Sequence, residues 1–172
     1  MKKIIALTWV ALLFTTFTVS AQQDKSKRAS PPAVAKETLN SGVVVTIDYS
    51  QPSVKGRTIG KEIAPYDGKV WRTGANEATI FEVTRAVKIE GKALAAGKYA
   101  LHSIPGAKEW TFIFNKKWQK PGTEYSEAED ALRVTVKPGK SASFTEKMVF
   151  TIDKAGKVAL VWGDLSVPFT VK

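Results

Sequence analysis

Val43–Val44–Val45–Thr46–Ile47–Asp48–Tyr49–Ser50 alternates in twos, with Val43, Val45, Ile47 and Tyr49 on one side and Val44, Thr46, Asp48 and Ser50 on the other. Successive side chains of an extended chain point to opposite faces, so this register reads as a half-buried strand. β-branched and aromatic residues make up most of it, the composition that packs well on a pleated surface. The same period returns in Thr79–Thr84, Val87–Ile89, Lys98–Ile104, Trp110–Asn115, Leu132–Val136, Ser143–Ile152, Val158–Trp162 and Ser166–Val171. Between these runs stand turn signals: Glu90–Gly91–Lys92, Ala95–Ala96–Gly97, Pro105–Gly106, Pro138–Gly139, Asp153–Lys154–Ala155–Gly156 and Gly163–Asp164. No stretch carries the 3.6-residue period of an amphipathic helix. The pattern predicts an all-β chain, a single antiparallel β-sandwich of about 8–10 strands.

Upstream of Val43 the character changes. Lys2 and Lys3 precede an apolar run from Ile4 to Val19, and Val19–Ser20–Ala21 is a small-residue cleavage site. This is the build of a secretory signal peptide over residues 1–21, which places the mature chain in the periplasm or outside the cell. Residues 22–36 are polar, charged and marked by Pro31–Pro32, and read as a flexible linker ahead of a sandwich domain spanning 37–172. No later apolar run reaches the ~18 residues a membrane helix needs, so no integral membrane segment is expected in the mature chain.

The chain has no Cys and one His, which excludes disulfides, thiol catalysis and thiolate metal ligands; no metal or other cofactor is expected. The net charge of +10 falls by two on loss of Lys2 and Lys3. The remaining cations are interspersed with Asp and Glu and form no stripe with stacking aromatics, so nucleic acid is not an expected partner. A glycan or a small anionic ligand is, and the chain is expected to act as a monomer.

Three stretches resemble the bacterial family called domain of unknown function 2911. They are Val70–Trp71–Arg72–Thr73–Gly74–Ala75–Asn76–Glu77–Ala78–Thr79, Ala96–Gly97–Lys98–Tyr99–Ala100–Leu101–His102–Ser103–Ile104–Pro105–Gly106 and Glu109–Trp110–Thr111–Phe112–Ile113–Phe114–Asn115. Pro52–Ser53–Val54–Lys55–Gly56–Arg57 adds a fourth. The resemblance covers nearly all of the mature chain and implies an exported single-domain β-protein with no assigned activity.

The candidate site residues are Arg57, Tyr66, Trp71, Arg72, Asn76, Glu77 and His102. Gly74 and Asn76 suit a tight turn through their tolerance of positive φ, and a compact turn would let Arg72 pair with Glu77, with Trp71 or Tyr66 beneath the guanidinium. Read for function, Arg57 and Arg72 fork onto an anion or a sugar hydroxyl, Trp71 stacks, and Asn76 and Glu77 orient. Read for structure, the loop is tied down by its own ion pair and Trp71 plugs the end of the sandwich. His102 lies in a strand, on the face of Ala100 and Ile104, where a packed neighbour is the plain reading. An exported hydrolase would instead use His102 with Asp48, Glu77 or Glu82, but no Gly-x-Ser-x-Gly elbow supplies a nucleophile. Trp118, in a long polar loop, is the best placed aromatic for stacking. The leading expectation is a non-catalytic binding or structural module.

Overall fold

The computed structural model describes residues 24–172. The expected signal peptide, residues 1–21, lies outside the described residues. Ten strands follow one another: β1 (Pro32–Thr38), β2 (Val44–Ser50), β3 (Ile80–Val83), β4 (Val87–Ile89), β5 (Lys92–Leu94), β6 (Gly97–Ile104), β7 (Trp110–Asn115), β8 (Asp130–Val136), β9 (Gly139–Ile152) and β10 (Lys157–Thr170). The chain is all-β, and its antiparallel sheets stack as a sandwich. One layer is a six-stranded sheet in the order β1-β2-β3-β6-β7-β8. The other is built on the β9–β10 hairpin, two strands of 14 residues each. Isolated bridges widen that second layer: Ser53 pairs with Lys147 on β9, and Ile89 on β4 pairs with Val171 just past β10.

Alternation decides what lies between the layers. Val45, Ile47, Phe81, Leu101, Phe112, Phe114 and Val134 of the six-stranded sheet turn inward and are buried. Phe169 of β10 meets them, its ring centre 4.9 Å from that of Phe112 and 6.0 Å from that of Phe114. Tyr49 closes one corner: its ring stands edge-on to Phe150, and its hydroxyl accepts the Phe150 backbone N–H at 3.1 Å. A phenol can be buried without penalty only when its oxygen finds such a partner.

Three features differ from the sequence reading. Residues 22–36 are not linker throughout: from Pro32 the chain is strand β1, and Ala33, Val34 and Ala35 pair with Tyr49, Asp48 and Ile47 of β2. Proline at the first residue of an edge strand costs no ladder bond, and Ala33 and Ala35 offer just enough side chain to pack on the core. Gly163–Asp164 is not a turn. Gly163 takes φ 58°, and the pairing of β10 with β9 shifts register on both sides of it, so the strand bends through bulges and runs on. Phe144, expected among the apolar residues of its strand, is 57% exposed in this bent region.

The other face of the six-stranded sheet is covered differently. One register row reads Val34, Asp48, Ile80, Ala100, Asn115 and Asp130 across the six strands. Residues 116–129 cross this face as a loop. The Asn115 amide donates to the Ser126 carbonyl at 2.9 Å and to Asp130 Oδ1 at 2.8 Å. Asp130 Oδ2 accepts from the Tyr125 hydroxyl at 2.8 Å and from Arg133 Nε at 2.7 Å. The loop is fastened at Tyr125 and Ser126, while most of its other side chains stay in water.

Candidate functional site

The stretch Val70–Thr79 runs from the open end of the sandwich towards β3. Trp71 forms an isolated bridge with Ser103 at the end of β6, each backbone N–H donating to the other's carbonyl at 2.8 Å. Its indole is 7% exposed and stacks on Trp162, 6.1 Å between ring centres and 13° between planes. Trp71 thus packs into the end of the sandwich, and it also borders the cleft there.

The turn beyond it departs from expectation in a telling way. Positive φ falls on Thr73 (54°) and Asn76 (56°), not on Gly74. Gly74 is small because the chain is crowded there: a Cβ on it would sit 2.7 Å from Thr79 Oγ1 and 3.3 Å from the Ser50 carbonyl. Thr73 is β-branched, and such a residue in the left-handed region is strained. Buried hydrogen bonds hold it, from its hydroxyl to Ser103 Oγ at 2.9 Å and from the Thr79 hydroxyl to its carbonyl at 2.9 Å.

Arg72 and Glu77 do not pair. Arg72 Nη1 donates to the Asn76 carbonyl at 2.5 Å, folding the guanidinium back over its own turn. Glu77 is taken from outside the stretch, by Arg28 at 2.7 Å and Lys25 at 3.3 Å. The hydrogen bond from Arg28 is the main reason the Glu77 carboxyl titrates at about 2. Asn76 joins the same clasp, its amide donating to the Ser30 carbonyl at 2.8 Å. The segment Lys25–Ser30 is thereby strapped across the loop, a contact between residues nearly fifty positions apart.

Arg57, Trp71 and Arg72 meet at one end cleft of ≈380 Å³, whose walls also include Lys55, Ile63, Trp162 and, from the strap, Ala29 and Ser30. Arg57 is held by two carbonyls, Nη2 to Ser53 at 2.8 Å and Nε to Val54 at 3.1 Å. Among the described residues, neither Arg57 nor Arg72 has a carboxylate within ion-pair distance, and no carboxylate lines this cleft. Asn76 and Glu77 border a neighbouring hollow with Arg28 and Gly122.

Tyr66 and His102 stand apart. Tyr66 is 45% exposed and borders neither cleft, and no cation lies over its ring. His102 is 2% exposed on the outer face of the six-stranded sheet, under the 116–129 loop, its ring centre 5.1 Å from that of Tyr125. Neither ring nitrogen has a hydrogen-bond partner, and burial pushes its pKa below the ordinary histidine range. Asp48 and Glu82 border grooves beside Trp118, away from His102, and Glu82 pairs with Lys98 at 3.7 Å. Trp118 itself is half-buried, with Lys98 Nζ 5.3 Å from its ring centre. No group of three His, Asp or Glu side chains suited to a metal ion occurs among the described residues.

Sequence reasoning missed an apolar hollow of ≈740 Å³ beside the end cleft, sharing Arg57 and Trp162 with it. Ile59, Pro65, Pro105, Phe144 and Leu165 line it. Its one sequence signal was Phe144 set between Ser143 and Thr145. The bulges that turn Phe144 outward are a property of strand pairing and leave no local mark.

Fold and cleft together define an all-β chain with a cationic recess at one end of its sandwich. A family model described as a protein of unknown function, DUF2911, matches residues 30–171, and the chain belongs to that family. No curated protein and no solved structure matches it. No helix among the described residues is long and apolar enough to cross a membrane.

Proposed function

We propose that this protein is an exported, non-catalytic binding module whose end cleft takes a small anionic ligand. The carrying observation is that Lys55, Arg57 and Arg72 line one recess together with no carboxylate among its walls. Cations lining one recess repel one another, and an anion seated among them relieves that repulsion more directly than the Glu62 carboxyl, which feels Arg57 from outside the walls. Both guanidiniums are steadied by backbone carbonyls that use only part of their five donors, leaving N–H groups to fork onto a carboxylate, sulfate or phosphate. The strained Thr73 adjoining Arg72 is the backbone cost of presenting it there.

A neutral glycan suits the cleft less well, because its two indoles are 7% and 1% exposed and offer no open face for a sugar ring to stack upon. The hydrolase reading draws no support from the geometry: His102 is sealed beneath the 116–129 loop, remote in the row pattern from Asp48 and Glu82.

The test is thermal denaturation of the mature domain with inorganic sulfate, phosphate, acetate and, as a neutral control, glucose. Ligands of the folded state raise the melting temperature in proportion to their binding. The anions should raise it and glucose should not. Arg72→Ala should abolish the anion shift while changing stability by less than ~1 kcal/mol, since the side chain is spent on a single carbonyl. An Arg72→Ala protein that still shows the full anion shift would refute the assignment.

A further inference from the structure

We infer that the anion is the head of an amphiphile, whose apolar body lies in the neighbouring hollow; this rests on the end cleft being an anion site. The two recesses share a wall. Arg57 and Trp162 line both, so the guanidinium that borders the anion cleft also borders the hollow. The hollow's ≈740 Å³ falls within the ~300–1,000 Å³ usual for small-molecule sites.

Its lining is what an alkyl or aromatic body requires. Val54, Ile59, Pro65, Pro105, Phe144 and Leu165 offer carbon to it. The charges around it, Arg57, Lys140, Asp67 and Asp164, balance in sign, so no net field favours an ion inside. Phe144 is the decisive residue. More than half of its surface is open to water, on a strand where Met148 and Phe150 are buried. An exposed aromatic beside partly buried Ile59 and Leu165 marks a surface that gains by being covered. The bulge at Gly163 brings Ile59 against β10, and a Cβ on Gly163 would sit 3.0 Å from Ile59 Cδ1. The Trp162 indole N–H is satisfied by the Glu146 carbonyl at 3.3 Å, so the common wall carries no unpaired indole donor.

One cationic recess and one neutral apolar recess with a common wall select a molecule with a single anionic group and an apolar tail. A carboxylate bearing a medium-length chain is the simplest of that class. Each methylene buried should tighten binding about four-fold.

Calorimetric titration of the mature domain with butyrate, hexanoate, octanoate and decanoate, each below its micelle concentration, tests this. The dissociation constant should fall steeply with chain length, by up to about three orders of magnitude over the six methylenes added from butyrate to decanoate. Phe144→Ser, a surface change that leaves folding intact, should flatten the chain-length dependence while inorganic sulfate binds as before. Arg72→Ala should weaken every member of the series. A constant independent of chain length in the wild type would overturn the inference and leave the anion site standing. Chain-length dependence that survives Phe144→Ser would overturn it too, by placing the tail elsewhere. Failure of sulfate and of all four carboxylates to bind would overturn both readings.

Discussion

The two faces of the six-stranded sheet are made by the same strands and closed by opposite means. Apart from the Tyr49 hydroxyl at one corner, the inner face meets the β9–β10 hairpin through hydrocarbon, with Phe81, Phe112 and Phe114 gathered around Phe169. The outer face is closed by a loop held through hydrogen bonds among Asn115, Tyr125, Asp130 and Arg133, and it buries a histidine that makes no hydrogen bond of good geometry, with the Ala100 and Gly122 carbonyls near its ring. Hydrocarbon burial is non-directional and indifferent to pH and salt, whereas a polar cover depends on geometry and on protonation. The inner face therefore sets the stability of the whole, and the outer face and the end of the sandwich are where conditions can act.

The largest effect should come from the inner face. Phe112→Ala removes a fully buried ring packed on Phe169 and should cost ~3 to ~5 kcal/mol through lost burial and a residual cavity. Denaturant titration gives the number. A loss below about 1 kcal/mol would mean that this face does not carry the fold, and the contrast would collapse.

An intermediate effect should come from the outer face, and only in acid. His102 is neutral in the folded state, its pKa lowered by burial first and then by the nearby charge of Arg72, against the pull of Asp130 and of the Ala100 and Gly122 carbonyls. Tyr125, whose own pKa is raised to about 12, covers the ring without titrating in this range. With the folded pKa below the unfolded 6.5, the unfolded chain takes up the proton more readily. Stability should hold above pH 6.5 and decline below it, before the carboxylates begin to titrate. As His102 is the only histidine, His102→Met should remove that decline between about pH 6.5 and pH 5. An unchanged decline in the variant would assign it to other groups.

The smallest effect should come from the strap. Glu77 has its folded pKa depressed from 4.5 to about 2, so its contribution is present above pH 4.5 and is lost as the pH falls towards 2. Glu77 and Lys25 are half exposed and Arg28 is 27% exposed, so water screens the cluster, and Glu77→Gln should cost less than ~1 kcal/mol. The readout is local: hydrogen exchange at residues 25–30 should quicken while exchange in β7 stays as it was. Equal quickening in both would show that the strap belongs to the global fold and not to the end cleft.

Much of this architecture is legible in the chain. Alternation in Val43–Ser50, Lys98–Ile104 and Trp110–Asn115 assigns strand and inward face together, because a period of two is local and each residue's side follows from its neighbour's. Ala33 and Ala35 escaped notice because a short apolar side chain beside two prolines resembles a linker until a partner strand is there to pair with. The segment's role as strand and strap exists only through β2 and Glu77.

The candidate site was half legible for the same reason. Trp71 and Arg72 stand out as residue types, and they do line the end cleft with Arg57. Which carboxylate meets which guanidinium was decided in three dimensions: Arg28 lies 49 residues from Glu77 and reaches it, while Arg72 lies five away and turns to a carbonyl instead. Sequence by itself determined most of the strands, the inward Phe112 and Phe114 and the absence of thiol chemistry, since these depend on residue type and on local period. Tertiary structure decided the bulge at Gly163, the exposure of Phe144, the sealing of His102 and the pairing of Glu77. Each of these is a contact between distant segments, and the free energy of such a contact belongs to neither segment alone.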